Sequence, residues 1–247
     1  MTGFEMEDTN DTHDSTPMNR EIIITADGSH SISVPLLNST YHSSHGAIME
    51  SQHVFIESGL HHYRKNNTDR DSSINIFEMG FGTGLNALLT LIETEKLQQP
   101  VYYETVEAYP LTEPEYRSLN YCKQLKLEQY QPLFERLHSM DWGKETTLTD
   151  FFTCKKSMHR LADHYPNKQF HIVYFDAFAP DVQPELWTTG IFTKIFSMLA
   201  PGGILVTYCS KTIVRKTMTA AGFTVHKIPG PPHKREMVRA VKNKQDQ

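Results

Sequence analysis

The stretch Glu78-Met79-Gly80-Phe81-Gly82-Thr83-Gly84-Leu85-Asn86 sets an acid ahead of three glycines at alternate positions. Glycine lets a chain turn tightly and lets a ligand approach the backbone. A dinucleotide loop reads G-x-G-x-x-G, with pyrophosphate at the following helix N-terminus. Counted from Gly80, the sixth position here is Leu85, so the spacing departs from that fingerprint. Glu78 would also repel a pyrophosphate, whereas it suits a ligand with positive charge and no phosphate. Glu107 lies 23 residues past Gly84, at the end of a predicted strand, where an acid accepts hydrogen bonds from ribose hydroxyls. Asp141 follows another predicted strand and is placed to accept from an adenine amino group. Asp176 closes a fourth, within Tyr174-Phe175-Asp176-Ala177-Phe178-Ala179-Pro180. Its apolar neighbours would partly desolvate it and strengthen its hydrogen bonds.

Together these residues point to S-adenosylmethionine, which carries an ammonium and a sulfonium and no phosphate. Glu78, Gly80, Gly82, Thr83, Gly84, Asn86, Glu107, Asp141 and Asp176 are the expected cofactor neighbours. Methyl transfer is an in-line displacement, so positioning and electrostatics supply most of the catalysis and no metal is required. Asp176 would hold an acceptor amine with its lone pair aimed at the methyl group, and Phe178 would stack on a base.

The surrounding elements must bring these residues together. Glu21–Thr25 and Ser31–Pro35 alternate around a Gly-containing turn and predict a hairpin. Ser39 to His62 reads as a helical cap, giving an N-terminal extension over 21–73. From Ile74 strands and helices alternate. Strands are predicted at Ile74–Met79, Val101–Val106, Leu133–His138, Phe170–Phe175 and Ile204–Tyr208. Phe223–Ile228 and Met237–Val241 are expected to close the sheet as an antiparallel pair. Helices are predicted at Leu85–Lys96, Glu113–Leu119, Pro184–Leu199 and Thr212–Ala221, with a helix-prone stretch between Trp142 and Leu161. This pattern predicts an α/β fold over 74–241: a Rossmann-like class I methyltransferase with a mostly parallel, seven-stranded sheet covered on both faces. In such sheets ligands bind beyond the carboxyl ends of the strands, where the loop, Glu107, Asp141 and Asp176 fall. Residues 1–20 read as a disordered acidic tail and 242–247 as a basic tail.

The chain has 247 residues and a formal net charge of -5. From Leu205 onward nine Lys and Arg face only Glu236 and Asp246, a net charge of +7 against -12 for the rest. Such asymmetry suits a polyanion, and equally a solvated basic edge. Three scattered cysteines, Cys122, Cys154 and Cys209, exclude a disulfide scaffold. No signal-peptide or membrane-spanning apolar run is visible, so a cytoplasmic setting is expected. His42, His45, His53, His61 and His62 match no metal-ligand spacing and are expected at the surface or in packing.

FEMGFGTGLN (77–86) and FDAFAPDVQPELWT (175–188) resemble the methyltransferase part of the MnmC family. So do PGG (201–203), VRKTMTAAGF (214–223) and PGPPHKREM (229–237). The resemblance implies methyl transfer to the 5-aminomethyl group of 2-thiouridine at the tRNA wobble position. It also implies that the glycine loop, Glu107 and Asp141 surround the cofactor, and that Asp176 and Phe178 meet the modified base. Lys211, Arg215, Lys234 and Arg235 would contact tRNA phosphates. The flavin-dependent oxidoreductase domain of many members has no room in this sequence, so the form expected is a stand-alone methyltransferase, with another protein supplying the aminomethyl group. A small-molecule N-methyltransferase on the same fold is the alternative.

Overall fold

A computed structural model describes residues 19–67, 69 and 72–244. Its first layer is the N-terminal extension. Strands β1 (Glu21–Ile24), β2 (His30–Val34) and β3 (Ser39–Thr40) form a small antiparallel sheet. Helix α1 (Ala47–Ser51) continues through a π-helical stretch, Gln52–His61, into α2 (His62–Asn66). The predicted hairpin is present, but the cap helix begins at Ala47, because Ser39–Thr40 pairs with β2 instead. The helix lies against the main sheet. A Cβ on Gly59 would come within 3.0 Å of the Tyr174 ring and 3.2 Å of Val206, so a side chain here would press on both and glycine lets the helix approach closely.

The main layer is an eight-stranded sheet in the order β10-β11-β9-β8-β4-β5-β7-β6. Its strands are β4 (Ile74–Met79), β5 (Val101–Val106), β6 (Glu145–Thr149), β7 (Phe152–Ser157), β8 (Phe170–Phe175), β9 (Leu199–Thr207), β10 (Thr224–Pro229) and β11 (Glu236–Val241). Pairs β4–β5, β4–β8, β5–β7 and β8–β9 are parallel, whereas β6, β11 and β10 run antiparallel to their neighbours. The order reverses between β4 and β8, the place where such sheets bind ligands. Apolar side chains alternate across the sheet. Ile76, Ile172 and Tyr174 join one buried cluster with Phe55, Leu60 and Leu88. Phe77, Val173 and Phe175 join the other with Trp187, Phe192 and Val214. The extension shares the first cluster and has no separate core.

The remaining helices are α3 (Leu85–Leu97), α4 (Glu113–Arg117), α5 (Tyr121–Gln124), α6 (Gln131–Ser139), α7 (Thr189–Met198) and α8 (Thr212–Ala220). The third strand differs from expectation. Leu133–His138 lies inside α6, where Phe134, Leu137 and His138 form one buried face at helical spacing. The strand is β7 instead: Phe152, Cys154 and Lys156 turn inward at period two, while Thr153 and Lys155 stay half-exposed. The stretch read as helix-prone before Leu161 is thus the β6–β7 hairpin, and β6 is the eighth strand. The single helix expected over Pro184–Leu199 splits into a 3-10 turn and α7, because Thr188 is extended and caps the second piece.

Of the disordered tail expected over 1–20, residues 1–18 lie outside the described residues. Arg20 is tied down by its guanidinium, which donates to the Pro110 and Tyr109 carbonyls and pairs with Glu115. Lys242, assigned to the basic tail, is buried and donates to the carbonyls of Phe196 and Leu199. Among the described residues no helix is long and apolar enough to cross a membrane.

Candidate active site

A cavity of about 940 Å³ opens at the carboxyl ends of β4, β5, β7 and β8. The glycine loop forms its floor. Gly80, Gly82 and Gly84 have φ of 89°, 49° and 72°, a left-handed run that side chains resist. A Cβ on Gly82 would lie 3.0 Å from the Tyr41 ring, and one on Gly84 2.7 Å from Nε2 of His138. Gly80, Gly82, Thr83 and Asn86 line the cavity, whereas Gly84 faces protein and serves the turn into α3.

Asn86 links two acids. Its amide donates to Oε1 of Glu78 at 3.1 Å and to Oδ2 of Asp176 at 2.8 Å. Glu78 is 0% exposed and sits behind Asn86, so its contact with the cavity runs through that amide. Its Oε2 has no partner among the described residues. Burial first, then the Asp176 charge, push the Glu78 carboxyl well above the usual range. Asp176 lies on the cavity wall, half-buried. Burial pushes its carboxyl up to about 7; the Asn86 hydrogen bond opposes this, Glu50 adds to it and Lys234 offsets it.

The chain after Asp176 is braced on several sides. Tyr208 donates to the Ala177 carbonyl at 2.9 Å, Gln183 accepts from the Phe178 amide at 3.0 Å, and Trp187 donates to the Phe178 carbonyl at 2.8 Å. Phe178 faces the cavity and meets Tyr41 edge-on, with ring centroids 5.2 Å apart. At the end of β5, Glu107 accepts from the Gly82 amide at 2.9 Å and the Tyr109 amide at 2.8 Å, so it holds the loop while facing the same space.

Asp141 does not reach this site. It is exposed, paired with Lys144 at 3.0 Å, and absent from the cavity wall. The reason is the displaced third strand: the residues after β7, His159 to Ala162, line the end of the cavity that Asp141 was expected to occupy. Of the basic residues, Lys234 lines the cavity with its ammonium 4.3 Å from the Tyr208 ring centroid. Lys211 pairs with Asp181, Arg215 bonds its own helix start at Ser210 and Thr212, and Arg235 is exposed.

The sequence reading missed the wall supplied by the extension. Tyr41, His42, His45 and Glu50 line the cavity. Nε2 of His42 is hydrogen-bonded to Oγ1 of Thr83 at 2.7 Å, and burial pushes this imidazole down to about 4, so it is neutral. Glu50 accepts from the Ser43 amide at 2.9 Å. Tyr41 is pushed up to about 12, by burial and then by Glu107. The only signal in the sequence was a polar, aromatic and His-rich segment beside a hairpin. A second group supports the loop from below. Lys156 is buried with its ammonium 4.4 Å from the Trp142 ring centroid and donates to the His138 carbonyl, while His138 donates to the Thr83 carbonyl at 3.1 Å.

Residues 118–243, about half of the chain, match a family described as S-adenosyl-L-methionine-dependent methyltransferase. This chain belongs to that family. Curated relatives carry the name tRNA 5-methylaminomethyl-2-thiouridine biosynthesis bifunctional protein MnmC. The one from Ectopseudomonas mendocina is 32% identical over 215 residues, 80% of this chain and 31% of the relative. That from Actinobacillus pleuropneumoniae is 30% identical over 231 residues, 84% of this chain and 33% of the relative. The chain thus spans about a third of the length of the curated relatives it matches. The crystal structure of MNMC2 from Aquifex aeolicus superposes with a TM-score of 0.71 at 25% identity, covering 94% of this chain and 73% of that one. Spermidine synthase from Thermotoga maritima shares the fold alone, with a TM-score of 0.55 at 12% identity.

The cavity fits the cofactor that this family uses. A Cβ at Gly82 would crowd the Tyr41 ring across the loop, and behind Asn86 Glu78 keeps a buried oxygen with no hydrogen-bond partner among the described residues. The two acids of this group that face the cavity, Glu107 and Asp176, favour positive charge. Gly80, Gly82, Asn86 and Glu107 line the cavity on this side and are the residues that would hold S-adenosylmethionine.

Proposed function

We propose that this chain methylates the exocyclic primary amine of 5-aminomethyl-uridine, in its 2-thio form, at the wobble position of tRNA. One observation carries the reading: Asp176, with a carboxyl poised near neutrality, shares a single cavity wall with Phe178 and the glycine loop. The names of the curated relatives supply the substrate, because a 5-methylaminomethyl product needs a 5-aminomethyl precursor.

S-adenosylmethionine supplies an electrophilic methyl group. The residues of this chain do the rest. An aminomethyl group is an ammonium at neutral pH and must lose a proton before its lone pair can attack. Asp176 accepts that proton, which a carboxyl near 7 can do where an ordinary carboxyl cannot. Asn86 holds the Asp176 carboxylate in place from the side. Glu50 and Asp176 together attract the incoming cation, and Phe178 and Tyr41 offer aromatic surface to the base. Lys234 sits at the rim, with Lys211, Arg215 and Arg235 on neighbouring segments, where phosphates of a bound tRNA would be met.

Incubation with methyl-labelled S-adenosylmethionine and tRNA bearing 5-aminomethyl-2-thiouridine tests the reading. The expected product, after digestion, is labelled 5-methylaminomethyl-2-thiouridine. Cofactor binding without label in that nucleoside would move the acceptor to a small-molecule amine.

A further inference from the structure

The fold aligns a row of polar side chains that methyl transfer leaves unused. Glu104 stands inside β5 at 1% exposure, where a carboxylate needs partners. Tyr102 donates to its Oε2 at 2.9 Å, and Lys155 pairs with its Oε1 at 3.1 Å. Nε2 of His164 faces that same Oε1 at 3.5 Å, an electrostatic contact and not a formed hydrogen bond, and has no hydrogen-bond partner among the described residues. His164 is 3% exposed and stacks on Phe77 with ring centroids 5.2 Å apart. Its Nδ1 is hydrogen-bonded to Nε2 of His159 at 2.9 Å. His159 lines the cavity. The row therefore runs from the middle of the sheet to the cavity wall.

The row has a direction. Burial pushes His164 down to about 4, so its ring is neutral and carries one N–H. With that proton on Nδ1, the Nε2 lone pair would face the Glu104 carboxylate, which is repulsive. The proton therefore sits on Nε2, and Nδ1 accepts. His159 must then donate from its own Nε2, which in a neutral ring leaves Nδ1 as an acceptor. That Nδ1 makes no hydrogen bond to any described residue.

His159 follows β7, the neighbour of β5 on the side away from β4 and its glycine loop. Leu161, Ala162 and Leu186 line the cavity there, and Arg160 can only donate. A nucleoside whose ribose sits at Glu107 has this end left for its base. We propose that His159 selects a 6-aminopurine in the methyl donor: its Nδ1 accepts from the exocyclic amine, and Glu104, acting through His164, holds it in the accepting tautomer. A 6-oxopurine would bring an oxygen against the same lone pair. Selectivity then comes from that repulsion as much as from the bond itself. The inference rests on the family's cofactor and is independent of the tRNA reading.

Calorimetric titration of the full chain with S-adenosylhomocysteine, S-inosylhomocysteine and the analogue whose purine lacks a 6-substituent tests it. Wild type should prefer the adenosyl over the inosyl compound by about tenfold or more, the effect of a satisfied against a frustrated polar contact. His159→Ala should bring that ratio close to unity while the unsubstituted purine changes by only about twofold. His159→Asn, which offers an acceptor oxygen in place of Nδ1, should keep part of the preference. His164→Phe should weaken it, and nitrogen NMR of the imidazoles should then show His159 as a mixture of tautomers in place of the Nε2–H form. An undiminished ratio in His159→Ala, equal wild-type affinities for all three compounds, or a wild-type His159 protonated at Nδ1 would each overturn the proposal. Equal affinities would leave the family assignment standing, because binding itself would persist.

Discussion

The carboxyl edge of the sheet and the N-terminal extension face each other across one cavity, and they contribute to it by different physics. The sheet edge supplies fixed points. Asn86 and Asp176 stand at the ends of elements buried on both faces, and Glu107 is held by two backbone amides. The extension supplies a cover: Tyr41 lies over Gly82, His42 holds Thr83, and Glu50 projects toward the acceptor side. Removing the fixed point that faces the acceptor, Asp176, should therefore abolish chemistry at nearly unchanged cofactor affinity. Removing part of the cover should weaken binding and leave chemistry largely in place.

Asp176→Asn is the sharpest test of this division. Loss of the proton acceptor should lower kcat by about 10²–10⁴-fold, with cofactor affinity nearly unchanged in direct binding. Equal loss of both would move Asp176 into the cofactor-holding group. The same variant should be the more stable protein at pH 8. A carboxyl held at about 7 in the folded chain binds its proton more tightly than in the unfolded chain. Its ionisation therefore costs folding free energy as pH rises from the ordinary carboxylate range through about 7. Asparagine removes that cost, and Tm at pH 8 should rise by several degrees, at about 2–4 °C for each kcal/mol recovered in a chain of this size. At pH 4 the two Tm values should converge.

The cover comes next. Tyr41→Ala exposes the loop at Gly82 and should raise the cofactor Kd about tenfold, a loss of one well-packed aromatic contact, with a smaller change in kcat. A kcat loss as large as that of Asp176→Asn would erase the distinction between cover and fixed points. The pH profile of kcat/KM should fall below about 7, as Asp176 takes up its proton. Because the Glu50 charge raises Asp176, Glu50→Gln should move this acid limb to lower pH while raising KM for the amine. An unmoved limb would separate the two carboxyls electrostatically. The smallest effect is expected at the rim. Lys234→Ala should raise KM for tRNA a few-fold and reduce the salt slope by about one. An unchanged slope would place the RNA backbone elsewhere.

The difference between the two regions also explains what could be read without a structure. The glycine loop, Glu107 and Asp176 are set by local rules: apolar strands of period two, left-handed turns that need glycine, and acids that follow a strand end. Those rules act within a few residues, so the sequence alone determined the α/β alternation, the parallel sheet, the cofactor loop and the acid after β8. Where polar residues disguised the period, the reading failed. Lys156 and Thr153 mask the period of β7, the short run Leu133–His138 carries too few residues to tell helical spacing from a strand, and Asp141 therefore lies one connection away from the cavity. Tertiary structure alone decided which side chains from distant segments share the cavity: Tyr41 over Gly82, Glu50 on the same cavity wall as Asp176, and His159 at the end of a buried row that starts at Glu104. Long-range packing makes these neighbours. Nothing in the spacing of Tyr41 or His159 along the chain marks the surface against which each is held, because that surface is built from strands that come later or earlier in the sequence.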